Sequence, residues 1–264
     1  MIVTTSYNVT SKLAAEAHAF AHKWGWTYRK RERMSLQQMR ERYKTDEIIV
    51  LSREQARWSS PTGQFSFHPS LAVVRIKRLL SGDSDVLTEV AGLSRGDKVL
   101  DATLGFASDA ITAAHIVGEE GQVVGLESEP RIAALVEYGL NHFPIDVPEV
   151  KLAMNRVQVK ATDHMSYMEQ CPDNAFDVVY FDPMFRHEIS HSEAMAPLRQ
   201  IADSRPLSLT AIKHARRIAR KCVVLKETSG SGEFKRLGFQ LLKQRPHGVA
   251  YGIIRTGACD NETA

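Results

Sequence analysis

The run Val99-Leu-Asp-Ala-Thr-Leu-Gly-Phe-Ala-Ser-Asp109 constrains the fold more than any other stretch of the chain. A short apolar segment starting at Lys98 reaches an acid at Asp101. A turn with Thr103 and Gly105 follows, and helical character resumes towards Asp109. This is the pattern of a buried strand, a tight turn and a crossover helix, the unit from which open α/β sheets are wound. Two further apolar runs also end in acids. Gln122-Val-Val-Gly-Leu-Glu127 stops at Glu127, and Phe176-Asp-Val-Val-Tyr-Phe-Asp182 stops at Asp182, followed by Pro183-Met-Phe185. Ligands of such sheets sit at the carboxyl ends of the strands, so Asp101, Glu127 and Asp182 are expected to form one constellation. The first turn lacks the three-glycine spacing of a dinucleotide fingerprint, which argues against NAD. A carboxylate in the place of Glu127 can accept both hydroxyls of a ribose.

This constellation resembles the class I S-adenosylmethionine-dependent methyltransferases, and the match goes closer than the class. Asp101-Ala-Thr-Leu-Gly-Phe-Ala-Ser-Asp109 is similar to the Asp-Ala-Thr-Ala-Gly-Leu-Gly-x-Asp run of the RsmJ family, the small-subunit ribosomal RNA guanine-N2 methyltransferases. Asp182-Pro-Met-Phe185 is similar to that family's Asp-Pro-Met-Phe, and Val223-Val-Leu-Lys226 to its Val-Val-Val-Lys. The resemblance covers Phe67 to Glu227. Ala107 stands in place of the family's second Gly, and Phe67-His-Pro-Ser70 in place of its basic Gly-rich segment.

The resemblance implies S-adenosylmethionine as cofactor and a doubly wound, seven-stranded Rossmann-like sheet. It puts Asp101 near the amino-acid moiety of the cofactor, and Thr103, Gly105 and Ala107 along the loop that passes it. Asp109 opens the next helix beside that loop, Glu127 takes the ribose diol, Ser128 borders the adenine, and Asp163 meets the adenine amino group. Asp182, Pro183 and Phe185 form the chemical centre. Asp182 accepts the N–H of an exocyclic amine beside the cofactor, Pro183 fixes the turn, and Phe185 stacks on a flipped base. Lys226 meets a phosphate or a base edge. On the residues alone, Asp109 also reads as a helix-dipole charge, Asp163 as a helix N-cap and Lys226 as a strand-end lysine.

The strands expected are Lys98–Asp101, Gln122–Glu127, Val157–Ala161, Phe176–Phe181 and Lys221–Glu227. Helices are expected at Ala107–Val117, Glu129–Asn141, His164–Gln170 and Leu207–Arg220, an alternation that means a parallel sheet. Phe239–Gln244 and Tyr251–Ile254 add two strands and an antiparallel edge. Ser70 is the expected N-cap of a helix over Leu71 to Leu80, and His68 before it is a candidate to face the site. Residues 67–264 are thus read as the catalytic domain. Residues 1–66 are read as a small α/β domain: a strand from Ile2, helices from Ser11 and Leu36, strands near Trp26 and Glu47, and a hairpin turning at Pro61-Thr-Gly63.

Charge separates the halves. Residues 1–98 carry 16 Lys/Arg against 10 Asp/Glu, and the remainder 18 against 21. The densest basic cluster, Arg29-Lys30-Arg31-Glu-Arg33, adjoins Trp26 and Tyr28. Cations neutralise phosphates and aromatics stack bases, so Arg29, Lys30 and Arg31 are expected RNA contacts, the alternative being a charge-protected strand edge. Arg186, with His187, His191 and Arg199, lies in the long polar segment after the Asp-Pro motif and is expected to serve substrate. His187 and His191 have helical spacing for a metal pair but no third ligand, so no metal is expected. The three cysteines form no metal or disulfide pattern, no run approaches the ~20 apolar residues of a membrane span, and no signal peptide is evident, so a cytoplasmic location follows. The leading reading is methyl transfer to an RNA amine, most specifically guanine N2 of 16S rRNA in the small ribosomal subunit. The alternatives are a DNA or protein amine methyltransferase, and a non-catalytic RNA-binding module with a degenerate cofactor site.

Overall fold

Each apolar run expected as a core strand is one, and the topology follows from their order. The computed structural model describes residues 1–7, 9–183, 201, 203, 205–244 and 248–257. Among these, twelve strands form two sheets, one of five strands and one of seven. Contacts divide the chain into two compact units.

The first unit holds Met1–His68 and Pro130–Pro144. Its strands are β1 (Ile2–Thr5), β2 (Thr27–Tyr28), β3 (Ile48–Leu51), β4 (Ala56–Ser60) and β5 (Gly63–Ser66), ordered β2-β1-β3-β4-β5. β1 pairs in parallel with β2 and β3; β3, β4 and β5 run antiparallel. Helix α1 (Ser11–Lys23) starts where the Thr10 hydroxyl accepts the Leu13 N–H, and α2 (Leu36–Tyr43) starts in a capping box between Ser35 and Gln38. Ile2, Met39, Ile48 and Val50 form a small core with Met34, Leu36 and Tyr43 against it. The helix Pro130–His142 also belongs here. Its Tyr138 hydroxyl donates to the Ser52 carbonyl at 2.7 Å and its Arg131 pairs with Glu47. Phe67 packs on Gly139, where an added Cβ would stand 2.2 Å from the ring.

The second unit carries the seven-stranded sheet. Its helices α3 (Ser70–Leu80), α4 (Val86–Ala91) and α5 (Ser108–Val117) precede the helix Pro130–His142, which is α6. α7 (Pro148–Arg156), α8 (His164–Gln170), α9 (Leu209–Ile218) and α10 (Glu233–Leu237) follow it. The strands are β6 (Lys98–Asp101), β7 (Gln122–Glu127), β8 (Val157–Ala161), β9 (Phe176–Phe181), β10 (Ala219–Thr228), β11 (Gln240–Gln244) and β12 (Val249–Arg255). Their order is β11-β12-β10-β9-β6-β7-β8; β6 to β10 are parallel, and β12 is antiparallel to both its neighbours. This is the doubly wound Rossmann-like sheet with an antiparallel edge. Its strand order reverses between β6 and β9, the point at which such sheets open a ligand crevice. β9 is buried along its whole length, as a central parallel strand is. Glycine at 125 on β7 makes room for Leu104, whose Cδ1 would lie 2.3 Å from an added Cβ.

Two local expectations are corrected. Ser70 does not cap α3: it is the first helical residue, Pro69 holds the N-cap position, and no side chain bonds the free N–H groups there. Helix α7 was not anticipated, although Pro148 at its first turn is a start signal, because proline loses nothing where the N–H has no helical acceptor. Met184, Phe185, Arg186, His187, His191 and Arg199 lie outside the described residues, as do Cys259 and Asp260 to Ala264.

Candidate active site

Three carboxylates close their strands as the sequence reading placed them, two on the strands flanking the reversal point. Asp101 ends β6 and is 2% exposed. Its Oδ1 accepts the Thr103 N–H at 3.1 Å, closing a small turn over the carboxyl. Burial, with the like charges of Asp109 and Asp182 nearby, holds the Asp101 carboxyl well above the ordinary carboxylate range. The Thr103 hydroxyl in turn accepts the Asp182 backbone N–H at 2.6 Å, so the loop after β6 is tied directly to the end of β9.

Glu127 ends β7 and is also buried. Its two oxygens accept the Glu129 N–H at 2.8 Å and the Gly105 N–H at 3.2 Å. Burial raises its carboxyl to about 7 against those hydrogen bonds. Gly105 takes a positive φ of 49° to aim its N–H there, and Ala107 follows at φ 62°. Ala107 thus occupies a left-handed position that glycine adopts without strain, which accounts for the glycine at the equivalent place in the RsmJ motif. Ser128 follows Glu127 in the turn before α6, half-buried.

Asp163 caps α8, its Oδ1 accepting the Met165 N–H at 2.9 Å and the Ser166 N–H at 3.3 Å. Its Oδ2 accepts a 2.9 Å hydrogen bond from Arg205. The N-cap reading of this residue is therefore realised.

Asp182 is at the centre of the charge. Its Oδ2 lies 2.6 Å from the Lys226 ammonium, which reaches across from β10 and also lies 3.2 Å from Asp109 Oδ2. Asp109 Oδ1 lies 2.5 Å from an Arg75 nitrogen, and Arg75 grips Asp85 with two further nitrogens at 2.7 and 2.8 Å. Burial pushes the Asp109 carboxyl up, but Lys226 and Arg75 outweigh it and hold it at about 2. Asp182 is pushed the other way, to about 7, by burial and the facing Asp109 charge against the attraction of Lys226. Lys226 itself is held well above the ordinary lysine range: its two carboxylates outweigh its burial. Arg75 and Asp85 were not singled out from the sequence. The local sequence carried no clear signal, since α3 holds Lys77 and Arg78 as well as Arg75.

The cluster therefore sets four carboxylates, Asp85, Asp101, Asp109 and Asp182, against two cations, Arg75 and Lys226. With Asp101 held well above the ordinary carboxylate range and Asp182 at about 7, these charges come close to balance, and a cationic ligand would favour the ionised forms. Beneath it the Tyr180 hydroxyl is buried without a hydrogen-bond partner. A cavity bounded by Asp101, Asp109, Val178 and Tyr180 leaves about 10 Å³ beside it, close to what one water needs.

In the first unit the expected RNA contacts divide. Arg31 is buried, with its guanidinium 3.7 Å from the Tyr7 ring centre and bonded to the carbonyls of Met34 and Thr5. Arg29 and Lys30 are exposed, and Arg29 lies 5.3 Å from the ring centre of Tyr43. His68 packs edge-on against Phe143 of the same unit, 5.0 Å between ring centres. Among the described residues no three His, Cys, Asp or Glu side chains group as a metal site, and no helix is long and apolar enough to cross a membrane.

Comparison with known proteins agrees with this geometry. The family model SAM_MT, for SAM-dependent methyltransferases, matches residues 20–236. The Bacillus subtilis protein YpiP, itself uncharacterised, is 37% identical over 97% of this chain and 99% of its own length. Ribosomal RNA small subunit methyltransferase J of Dechloromonas aromatica is 30% identical over 57% of this chain and 62% of its own length. A crystal structure of a SAM-dependent methyltransferase from Neisseria gonorrhoeae shares the fold over the whole of both chains, with a TM-score of 0.63 at 16% identity.

Proposed function

This chain belongs to the family of SAM-dependent methyltransferases and its cofactor is S-adenosylmethionine; from that premise we propose that it methylates an exocyclic amine of an RNA base, guanine N2 of small-subunit ribosomal RNA first of all. The observation that carries this reading is the setting of Asp182. Its backbone N–H is fixed to Thr103 and its Oδ2 to Lys226, the Asp109 carboxyl lies within hydrogen-bonding reach of it, and among the described residues no N–H donor bonds its Oδ1, at the strand end where the sheet opens. Support for the RNA comes from the relatives named ribosomal RNA small subunit methyltransferase J, matched over part of their length; guanine N2 rests on the resemblance of the sequence motifs.

In this reading Glu127 holds the ribose hydroxyls, and the turn carrying Thr103 and Gly105 lines the amino-acid end. Asp101 meets the cationic amino group, Ser128 and Asp163 border the adenine, and ionisation of the cluster's raised carboxyls, favoured by the positive charge of the ligand, offsets that charge. When bound, the cofactor supplies an electrophilic methyl group on a sulfonium. Asp182 Oδ1 accepts an N–H bond of the base amine, which keeps nitrogen electron density turned to the methyl. On methyl transfer to the amine nitrogen, Asp182 would take the displaced proton and later yield it to solvent. Pro183 restricts the turn that aims Asp182. The rest is positioning, which is what in-line transfer chiefly requires. Arg29 and Lys30 hold RNA phosphates at the first unit; the roles of Phe185 and Arg186 at the base belong to the same proposal.

The test is transfer of a labelled methyl group to small-subunit ribosomal RNA, naked and as assembled subunit, with nucleoside analysis by mass spectrometry. N2-methylguanosine from the wild type, and its loss in Asp182→Ala with cofactor affinity kept within a few-fold, is the expected result. Labelling that persists in Asp182→Ala removes the role of Asp182. Labelling of protein or DNA alone removes the RNA reading.

A further inference from the structure

Five buried or half-buried side chains alternate in charge from one side of the sheet to the site: Asp85, Arg75, Asp109, Lys226 and Asp182. They come from five separate places in the chain, namely α3, the N-cap before α4, the first turn of α5, the end of β9 and the end of β10. The side chains of Asp85, Asp109 and Lys226 are 11%, 10% and 19% exposed, so solvent screens them little. Both oxygens of Asp109 are engaged, one by Arg75 and one by Lys226. The Lys226 ammonium is thereby held between Asp109 and Asp182, away from the role of a free phosphate contact.

We propose that Arg75 and Asp109 are positioning residues for Asp182, acting through Lys226: the chain of charges anchors Oδ2 of Asp182 against β10 and presents Oδ1 to the amine. The proposal rests on the catalytic reading of Asp182. The physical reason for a chain rather than a single lysine is rigidity. A lysine ammonium on a flexible four-carbon stem has no preferred direction. Asp109 supplies one by holding it from behind, and the two-nitrogen grip of Arg75 on Asp85 fixes Asp109 in turn.

The arrangement makes the two remote residues act on Asp182 with opposite sign. Arg75→Gln leaves Lys226 as the only cation on Asp109, so the ammonium shifts towards Asp109 and Asp182 loses neutralisation; its protonation midpoint rises. Asp109→Asn removes a like charge facing Asp182 and frees Lys226 to pair with Asp182 alone; the midpoint falls. The other titratable groups facing this carboxyl stay in place: Asp101 on β6, Tyr180 on β9, and Tyr251, the cross-strand partner of Lys226 on β12. A purely structural role for Arg75 and Asp109 predicts no such opposition.

The experiment is a carbon NMR titration of carboxyl-labelled aspartate in the full chain, with the Asp182 signal identified by its loss in Asp182→Asn. It is paired with the pH profile of kcat for methyl transfer. Expected are an upward shift of about one pH unit in Arg75→Gln, a downward shift of similar size in Asp109→Asn, and the same displacements of the acid limb of kcat. Arg75→Lys, which keeps a cation on Asp109, restores most of the wild-type midpoint. If Arg75→Gln does not fold, the isosteric Asp109→Asn decides: an unchanged or raised midpoint overturns the proposal. So do shifts of equal sign in both variants while Asp182→Asn is inactive. If Asp182→Asn keeps wild-type turnover, the catalytic role of Asp182 fails and takes the positioning role with it; the titration reports this separately because it needs no turnover.

Discussion

Thr103→Val tests the tie between the loop after β6 and the end of β9 with the least disturbance of shape. Valine matches threonine in volume but replaces the hydroxyl that accepts the Asp182 N–H at 2.6 Å. The Thr103 side chain is half-buried, so water replaces the lost acceptor only in part. An unsatisfied N–H in such a place costs about 1–2 kcal/mol. For a chain of this size that is a fall in melting temperature of about 2–8 °C. The larger effect is expected on turnover. Asp182 loses one of its two fixed points, and a displacement of about 1 Å at a reacting group costs on the order of 100-fold in rate. Cofactor affinity should change little, because the Thr103 N–H still bonds Asp101. The assays are thermal unfolding, calorimetry with S-adenosylmethionine, and labelled methyl transfer, each beside Thr103→Ser, which keeps the acceptor. Valine and serine variants with equal turnover would refute the reasoning, since only the hydroxyl separates them in this contact.

Three further outcomes are expected. Gly139→Ala should destabilise the chain by about 1–3 kcal/mol in denaturant unfolding despite the higher helix propensity of alanine, because the new methyl meets Phe67 at Cβ and Cγ, which cannot swing aside; a gain in stability would show that Phe67 relaxes freely. Tyr180→Phe should be neutral to within about 0.5 kcal/mol or stabilising, since it removes a buried hydroxyl that has no partner; a loss above about 1 kcal/mol would mean that a water in the adjoining cavity bonds it. Glu127, raised from 4.5 to about 7, gives a defined pH slope. Between those values the folded chain holds a proton that the unfolded chain has released, so unfolding free energy falls as pH rises through that window, by on the order of 3 kcal/mol. Glu127→Gln should remove that part of the slope; an unchanged slope would place the proton elsewhere.

The strands and their acids were legible because each is a short, continuous apolar run that stops at a charge, and burial on both faces of a parallel strand demands that pattern. Asp101, Glu127 and Asp182 needed no tertiary information to be found. Arg75 and Asp85 did. Their importance comes from meeting Asp109 and Lys226 across the fold, and nothing in the local sequence separates such an arginine from a solvated one. Arg31 shows the reverse error: a basic cluster reads as uniformly exposed, yet one of its members is folded onto Tyr7. The start of α3 was misplaced because Ser70 and Pro69 both suit a helix start, and backbone geometry chose the proline as the cap position.

The grouping of Pro130–Pro144 with the N-terminal 68 residues has a consequence for how the chain is made. Trp58, Phe65 and Phe67 leave the ribosome early, but the helix that supplies Gly139 under Phe67 and the Tyr138 hydroxyl for Ser52 is completed 74 residues after His68, with β6 and β7 in between. At 5–20 residues per second that is a delay of roughly 4–15 s. During it the first sheet has an incomplete apolar face. The N-terminal unit therefore cannot finish folding when its first 68 residues have emerged, and released chains ending before Pro130 should be more protease-sensitive in those 68 residues than chains ending after Pro144.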